Sequence, residues 1–273
     1  MGKINFTKMV ASGNDFVITE LKIKNSKLKN LRDLAKNICD RKYGVGADGL
    51  LLLEKTKKAD IKMRIFNADG SEAAMCGNGA RCVAFWLSAR RKTQDAKRTI
   101  ETKAGIIEST VSKDKVKIKL TEPKDLKLDI PIKINSRQLK VNLINTGVPH
   151  AVIFAQGLDK IDAVNLGRQI RFYKKFAPKG TNVDFVEFLN ENSLKIRTYE
   201  RGVEDETLAC GTGSVAAALI SVMRYALSTI RKINIYTRSG EILRVYFKRD
   251  KDKFSDVWLE GKAKIVHKGE YYV

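Results

Sequence analysis

From Ile4 the chain alternates apolar and polar residues as a half-buried strand does. It runs into the small and polar Ala11-Ser12-Gly13-Asn14-Asp15, and Phe16-Val17-Ile18 resumes a strand beyond that turn. Leu28, Leu31, Leu34, Ala35 and Ile38 recur at helical spacing, which predicts an amphipathic helix over Ser26 to Cys39 with Ser26 near its cap. Tyr43 to Gly49 is a glycine-rich loop ahead of a strand at Leu50 to Glu54, and Lys62 to Phe66 is a further strand. The segment Ala80 to Ala89 differs, because Ala80, Cys82, Val83, Ala84, Phe85, Trp86 and Leu87 place apolar groups on nearly every side of a helix. Such a helix must be enclosed, and a curled sheet is the expected wrapping. Strands follow at Thr99 to Glu101 and Val116 to Leu120. The last part, Ile233 to Tyr272, reads as strands with hairpin turns at Ser239-Gly240-Glu241 and Asp250-Lys251-Asp252.

The pattern then repeats. Gly13-Asn14-Asp15-Phe16 meets Gly147-Val148-Pro149-His150 at an offset of 134, and the strand Lys62 to Asn67 meets Lys195 to Glu200 at 133. Cys76 meets Cys210 at 134, and the loop before Leu50 has its counterpart in Lys179-Gly180-Thr181-Asn182-Val183-Asp184. A near-constant offset over four features marks two copies of one unit. The expected division is 1–121, joined by a last strand at about 264–273, and 122–263, with a boundary near Thr121-Glu122-Pro123.

Each copy carries a Glu four residues before a cysteine, then Cys-Gly-x-Gly, then a helix: Glu72 and Cys76-Gly77-Asn78-Gly79, Glu206 and Cys210-Gly211-Thr212-Gly213. A helix start has unpaired N–H groups and a positive dipole end, so a thiol there is expected to ionise below its ordinary value of roughly 8.5. The glycines would let a ligand carboxylate approach the same N–H groups. A single such cysteine is more simply a small buried apolar residue, but a matched pair with identical flanks points to shared chemistry. If the two copies pack about a pseudo-twofold axis, the thiols face one cleft. A carbon held between two groups that can each take or give a proton is what inversion of a stereocentre requires.

Composition narrows the alternatives. No apolar run approaches the roughly 18 residues of a membrane-spanning helix, and Met1 to Phe6 lacks a signal-peptide core, so a soluble cytoplasmic protein without membrane contact is the expectation. Four cysteines without a Cys-x-x-Cys pair, and only two histidines, argue against a structural zinc site, so no metal is assigned. The formal charge of +21 raises nucleic acid as a partner. Its basic residues are spread between apolar positions as solvated faces, and no nucleic-acid-binding signature occurs. No cofactor motif is found, which suits chemistry carried by thiols alone.

The strings Phe66-Asn67-Ala68-Asp69-Gly70-Ser71-Glu72, Met75-Cys76-Gly77-Asn78-Gly79 with Arg81-Cys82, and Tyr199-Glu200-Arg201-Gly202 with Thr207 to Gly213 closely resemble the diaminopimelate epimerase family. The resemblance runs through nearly the whole chain. It implies an α/β (α+β) fold of two pseudo-symmetric domains, each a curled mixed or antiparallel sheet wrapped around a central helix. It also implies cofactor-independent interconversion of LL- and meso-diaminopimelate, in lysine and peptidoglycan biosynthesis. By the same resemblance Cys76 and Cys210 are the two bases, and Gly77-Asn78 and Gly211-Thr212 bind the reacting carboxylate. Asn14, Asn67, Asn182, Glu200 and Arg201 hold the substrate's amino and carboxylate groups, and His150 and Glu200 tune the thiols. Two positions depart from the family pattern: Gly49 where some members carry Gln, and Val148 where some carry Asn before Pro-His. The partner is a small molecule, with a homodimer admitted as assembly. The alternatives are another cofactor-independent amino acid racemase of this fold and, from a different class, a non-catalytic basic nucleic-acid-binding protein.

Overall fold

Two helices that cannot face water set the architecture. The computed structural model describes residues 2–20, 30–91, 95–227 and 229–273. Its helices are α1 (Leu31–Cys39), α2 (Gly77–Arg91), α3 (Ala163–Arg171) and α4 (Gly211–Arg224). In α4 every residue from Gly213 to Val222 is buried, and in α2 Asn78 to Ala84 are, with Leu87 and Ser88. A fully buried Val, Leu or Ile, such as Val83, Leu219 or Ile220, contributes about 1.5–3 kcal/mol, so each helix holds its unit together from the inside. The expected enclosure by sheet is what the structure shows.

The chain divides into two compact units, Met1–Ile118 with Gly261–Val273, and Lys119–Glu260. In the first unit the strand Asn14–Glu20 runs parallel to Gly49–Glu54, which is antiparallel to Ile61–Asn67; that strand pairs antiparallel with the short Glu72–Ala73 and parallel with Ala96–Thr102. In the second, Pro149–Phe154 runs parallel to Asn182–Asn190, which is antiparallel to Ser193–Glu200; that strand pairs antiparallel with Asp205–Thr207 and parallel with Lys232–Tyr236. The order of parallel and antiparallel pairings is the same, so the sequence repeat is a structural repeat. In the first unit α2 packs against strands Lys3–Ala11, Ala96–Thr102 and Gly105–Ser112; in the second, α4 packs against Pro149–Phe154, Asn182–Asn190 and Ile242–Asp250.

The strand expectations hold with ends moved by a few residues, and the two late hairpin turns fall between Lys232–Tyr236, Ile242–Asp250 and Lys253–Lys262. The helix placed at Ser26 to Cys39 is shorter: α1 begins at Leu31, where the Asn30 side chain accepts from the Arg32 N–H at 3.0 Å and caps it. Ser26 lies outside the described residues. Helix α2 begins three residues earlier than the apolar pattern suggested, because its first turn, Gly77-Asn78-Gly79, carries no apolar periodicity. Helix α3 was not expected; Asp162 caps it by accepting from Asn165 N at 3.0 Å. Among the described residues no helix is long and apolar enough to cross a membrane.

Candidate active site

In each unit the short strand carrying the Glu leads straight into the thiol and the helix. Glu72 accepts from Arg64 at both oxygens, Nε at 2.8 Å and Nη2 at 3.2 Å. Its counterpart Glu206 accepts from Arg197, both bonds at 2.7 Å. The repeated Glu is therefore explained by position: a two-point guanidinium clamp from the preceding strand fixes the segment that delivers each cysteine. Sequence reasoning noted both glutamates but gave no role to Arg64 and Arg197, although the repeat aligns them at an offset of 133.

In the first unit Cys76 directly precedes α2. The Gly79 N–H points at its sulfur at 3.4 Å, and its carbonyl accepts from Ala80 N at 2.9 Å. Asn14 Oδ1 lies 3.9 Å from Cys76 Sγ. Its amide is oriented from behind, since Asn14 Nδ2 donates to Asp48 Oδ2 at 2.6 Å and Asp48 Oδ1 is held by Arg41 Nη2 at 2.7 Å. Asn78 is buried and its Oδ1 accepts from Arg81 Nη2 at 2.7 Å. Asn67 is exposed and donates to Ser71 Oγ at 2.9 Å.

In the second unit Cys210 is the N-cap residue of α4. Its sulfur lies 3.4 Å from Thr212 Oγ1, and Thr212 in turn is 2.9 Å from His150 Nε2. His150 Nδ1 meets Asp184 Oδ2 at 2.7 Å, with both side chains fully buried. Asn182 accepts from the Arg201 N–H at 2.7 Å and places Nδ2 3.4 Å from His150 Nε2. Sequence reasoning had quoted Asp184 inside a loop motif and given it no function; a lone Asp in a strand-like run of apolar residues was the available signal. Glu200 sits beside this cluster. Burial pushes its carboxyl above the ordinary value, against the Thr207 hydroxyl, which favours the charged form.

The Arg201 guanidinium reaches only the carbonyls of Lys179 and Gly180, each at 3.5 Å, and among the described residues no carboxylate pairs with it. The N–H groups of Gly77 and Asn78, and of Gly211 and Thr212, have no acceptor among the described residues. Each helix start thus presents donors suited to an anion. A Cβ at Gly211 would lie 2.8 Å from Leu259 Cδ2, so packing alone disfavours a side chain there.

One expectation is corrected. Cys210 does not ionise readily: burial pushes its thiol well above the usual value, and the Glu200 and Asp184 carboxylates act in the same sense. Removal of the thiolate from water outweighs the helix start. Cys39, also at a helix end, is pushed up to about 12, first by burial, and packs in the core of the first unit.

Comparison with known proteins comes from sequence and from structure. A family model described as diaminopimelate epimerase matches residues 6–125 and 142–266. The diaminopimelate epimerase of Aquifex aeolicus is 40% identical over 278 residues, covering 97% of this chain and 97% of that protein. That of Methanocella arvoryzae is 41% identical over 284 residues, covering 99% and 97%. Among solved structures, a Bacillus anthracis phenazine biosynthesis protein of the PhzF family superposes with a TM-score of 0.77 at 19% identity, over 100% of both chains. A hydroxyproline epimerase from Agrobacterium vitis, with bound trans-4-hydroxy-L-proline, gives 0.73 at 15% identity over 98% of this chain and 91% of that one. At such identities the likeness shows a shared fold.

Proposed function

The chain belongs to the diaminopimelate epimerase family and is an isomerase, and on that premise we propose that it interconverts LL- and meso-diaminopimelate by proton transfer between its two cysteines. The observation that carries the reading is the repeated constellation: two thiols, each immediately before a buried helix whose first two N–H groups have no acceptor among the described residues.

In this reading Cys76 and Cys210 act on opposite faces of one α-carbon. One sulfur, as thiolate, takes the α-proton; the other, as thiol, delivers its own to the opposite face, and the return reaction exchanges the roles. Loss of the α-proton builds negative charge onto the adjoining carboxylate. Donors already aimed at that position lower the barrier without reorganising, and the N–H groups of Gly77-Asn78 and Gly211-Thr212 supply them. Asn14, Asn67 and Asn182 with Glu200 serve the ammonium and carboxylate groups.

The substrate is an amino acid at both ends, so its distal carboxylate needs a cation. Arg201, which lacks a carboxylate partner among the described residues, fills that need. A single amino acid with one carboxylate would leave it unused. The reading is tested by incubating the protein with LL-diaminopimelate and with a panel of single amino acids, then resolving stereoisomers by chiral chromatography. Conversion of LL to a mixture with the meso form is expected, and conversion of proline or other monocarboxylates in its place would overturn it.

A further inference from the structure

The internal repeat exposes a chemical difference between the two half-sites. At offsets of 133 to 134, Phe16 corresponds to His150, Leu51 to Asp184, and Asn78 to Thr212. In the first unit Phe16 and Leu51 are buried apolar residues, and a Cβ at Gly79 would rest on the Leu51 methyl groups at 3.1 Å. In the second unit the space beneath the helix start holds a carboxylate and an imidazole. A Cβ at Gly213 would overlap Asp184 Oδ1 and come within 3.3 Å of His150 Cε1, so the glycine lets the pair reach the first turn of α4.

The contacts form one chain, and its hydrogen-bond directions follow from taking Asp184 as a carboxylate and His150 as a neutral ring. An ionised carboxylate can only accept, so Asp184 Oδ1 accepts from the Thr198 hydroxyl at 2.7 Å and Oδ2 accepts from His150 Nδ1–H at 2.7 Å. With its proton on Nδ1, the ring presents a lone pair at Nε2. The Thr212 hydroxyl donates to it at 2.9 Å, nearer than Asn182 Nδ2 at 3.4 Å. Having given its hydrogen to Nε2, the Thr212 oxygen is an acceptor, and Cys210 S–H is the donor 3.4 Å away. Burying a carboxylate costs several kcal/mol unless its hydrogen bonds are made, and the matched unit manages with leucine, so packing does not account for Asp184.

Taking Cys210 as one of the two proton-transfer groups, we propose that Asp184 is a positioning residue: it fixes the Nδ1–H tautomer of His150, orients the chain from Cys210 through Thr212 to His150, and holds Cys210 as the proton-donating thiol. At the matched positions of the first unit stand the apolar Phe16 and Leu51, so the carboxylate and imidazole of the second unit have no counterpart related by the repeat. The carboxylate works through tautomer selection, as in other carboxylate–histidine pairs where the wrong tautomer disables a correctly placed ring.

The chain contains only two histidines, so its tautomers can be read directly. In ¹⁵N-histidine-labelled wild-type protein at neutral pH, with His267 assigned through His267→Gln, His150 is expected to show a protonated Nδ1 and a lone-pair Nε2. A protonated Nε2 would overturn the proposal, whether or not the protein turns over substrate; failure of wild-type turnover would instead sink the functional reading. A kinetic cycle gives the second test. Asp184→Asn and Thr212→Val are each expected to lower kcat about tenfold or more with KM within about threefold, and the double variant to fall no more than about threefold below the slower single. Fold effects that simply multiply would mean that Asp184 does not act through Thr212. If Asp184→Asn does not fold, Thr212→Ser decides: it keeps the hydroxyl and should retain kcat within about threefold, whereas equal losses in Thr212→Ser and Thr212→Val would overturn the chain.

Discussion

Arg64 grips Glu72 at two points, 2.8 Å and 3.2 Å, and Lys103 adds a third contact at 2.7 Å. First the Arg64 hydrogen bonds, and with them Lys103, bring the Glu72 carboxyl down to about 2 from its usual 4.5. Because the folded value lies below the unfolded one, this contribution to stability is complete above about 4.5 and is lost as pH falls from there towards about 2. The strand that delivers Cys76 should therefore loosen in that acid window. Urea unfolding of the wild type between about pH 6 and pH 2.5 should show stability falling with acid, and Glu72→Gln should be less stable at neutral pH and flatter across the same range. An equally steep slope in the variant would remove Glu72 from the account.

How much of this was legible in the sequence follows from what each signal depends on. The enclosed helices could be read because Ala80 to Leu87 has no polar face, and the repeat because Cys76 and Cys210 share flanks. Helix α1 was found by its Leu34, Ala35 and Ile38 stripe, but it starts at Leu31, where Asn30 supplies the cap, and the apolar stripe does not mark that position. Helix α3 escaped notice: its buried residues are only Ala163, Gly167 and Ile170, and two of these are too small to mark a face. The thiols were found by spacing, whereas the high value of Cys210 was not, because a local rule about helix starts carries no information about burial or about carboxylates from other strands. Asp184 was invisible for a related reason. Its partners His150 and Thr198 come from two other strands, and Thr212, which meets the far side of the His150 ring, comes from a helix; only the fold assembles them.

Replacing either thiol separates chemistry from folding. Cys76→Ala and Cys210→Ala should each lower epimerisation by at least about a thousandfold, because a single remaining sulfur serves one face of the carbon. Circular dichroism and the thermal midpoint should stay close to wild type for Cys76→Ala, whose side chain is partly exposed. A variant with unchanged spectra and near-native turnover would show that its cysteine is not one of the two bases.

Arg201→Met tests the distal end of the substrate. With no carboxylate partner among the described residues, the guanidinium loses little of the fold when it is removed, so its cost should fall on binding. A KM for diaminopimelate raised about tenfold to a hundredfold is expected, in line with loss of a charge-assisted pair worth roughly 1.5–3 kcal/mol. Unchanged KM and kcat would place Arg201 outside the site and reopen the choice of substrate.

The fate of the proton distinguishes two opposed thiols from one base that serves both faces. In the two-base scheme the abstracting sulfur keeps the substrate's proton, while the opposing thiol, equilibrated with solvent before substrate binds, supplies the new one. Product should carry solvent hydrogen. Run in D₂O from LL-diaminopimelate and stopped early, the reaction should place deuterium at the α-carbon of the meso product and leave recovered substrate largely protonated. A single base would return much of the original proton to product or, if it exchanged with solvent, would label substrate and product more evenly. A carbonyl cofactor could mimic the first pattern, so the same preparation should also keep its activity after hydroxylamine and show no cofactor absorbance. Reversing the direction tests the exchange of roles: starting from meso, deuterium should again appear in product first, delivered now by the thiol on the other face. Extensive retention of the substrate proton in either direction would mean that Cys76 and Cys210 do not divide the two faces between them.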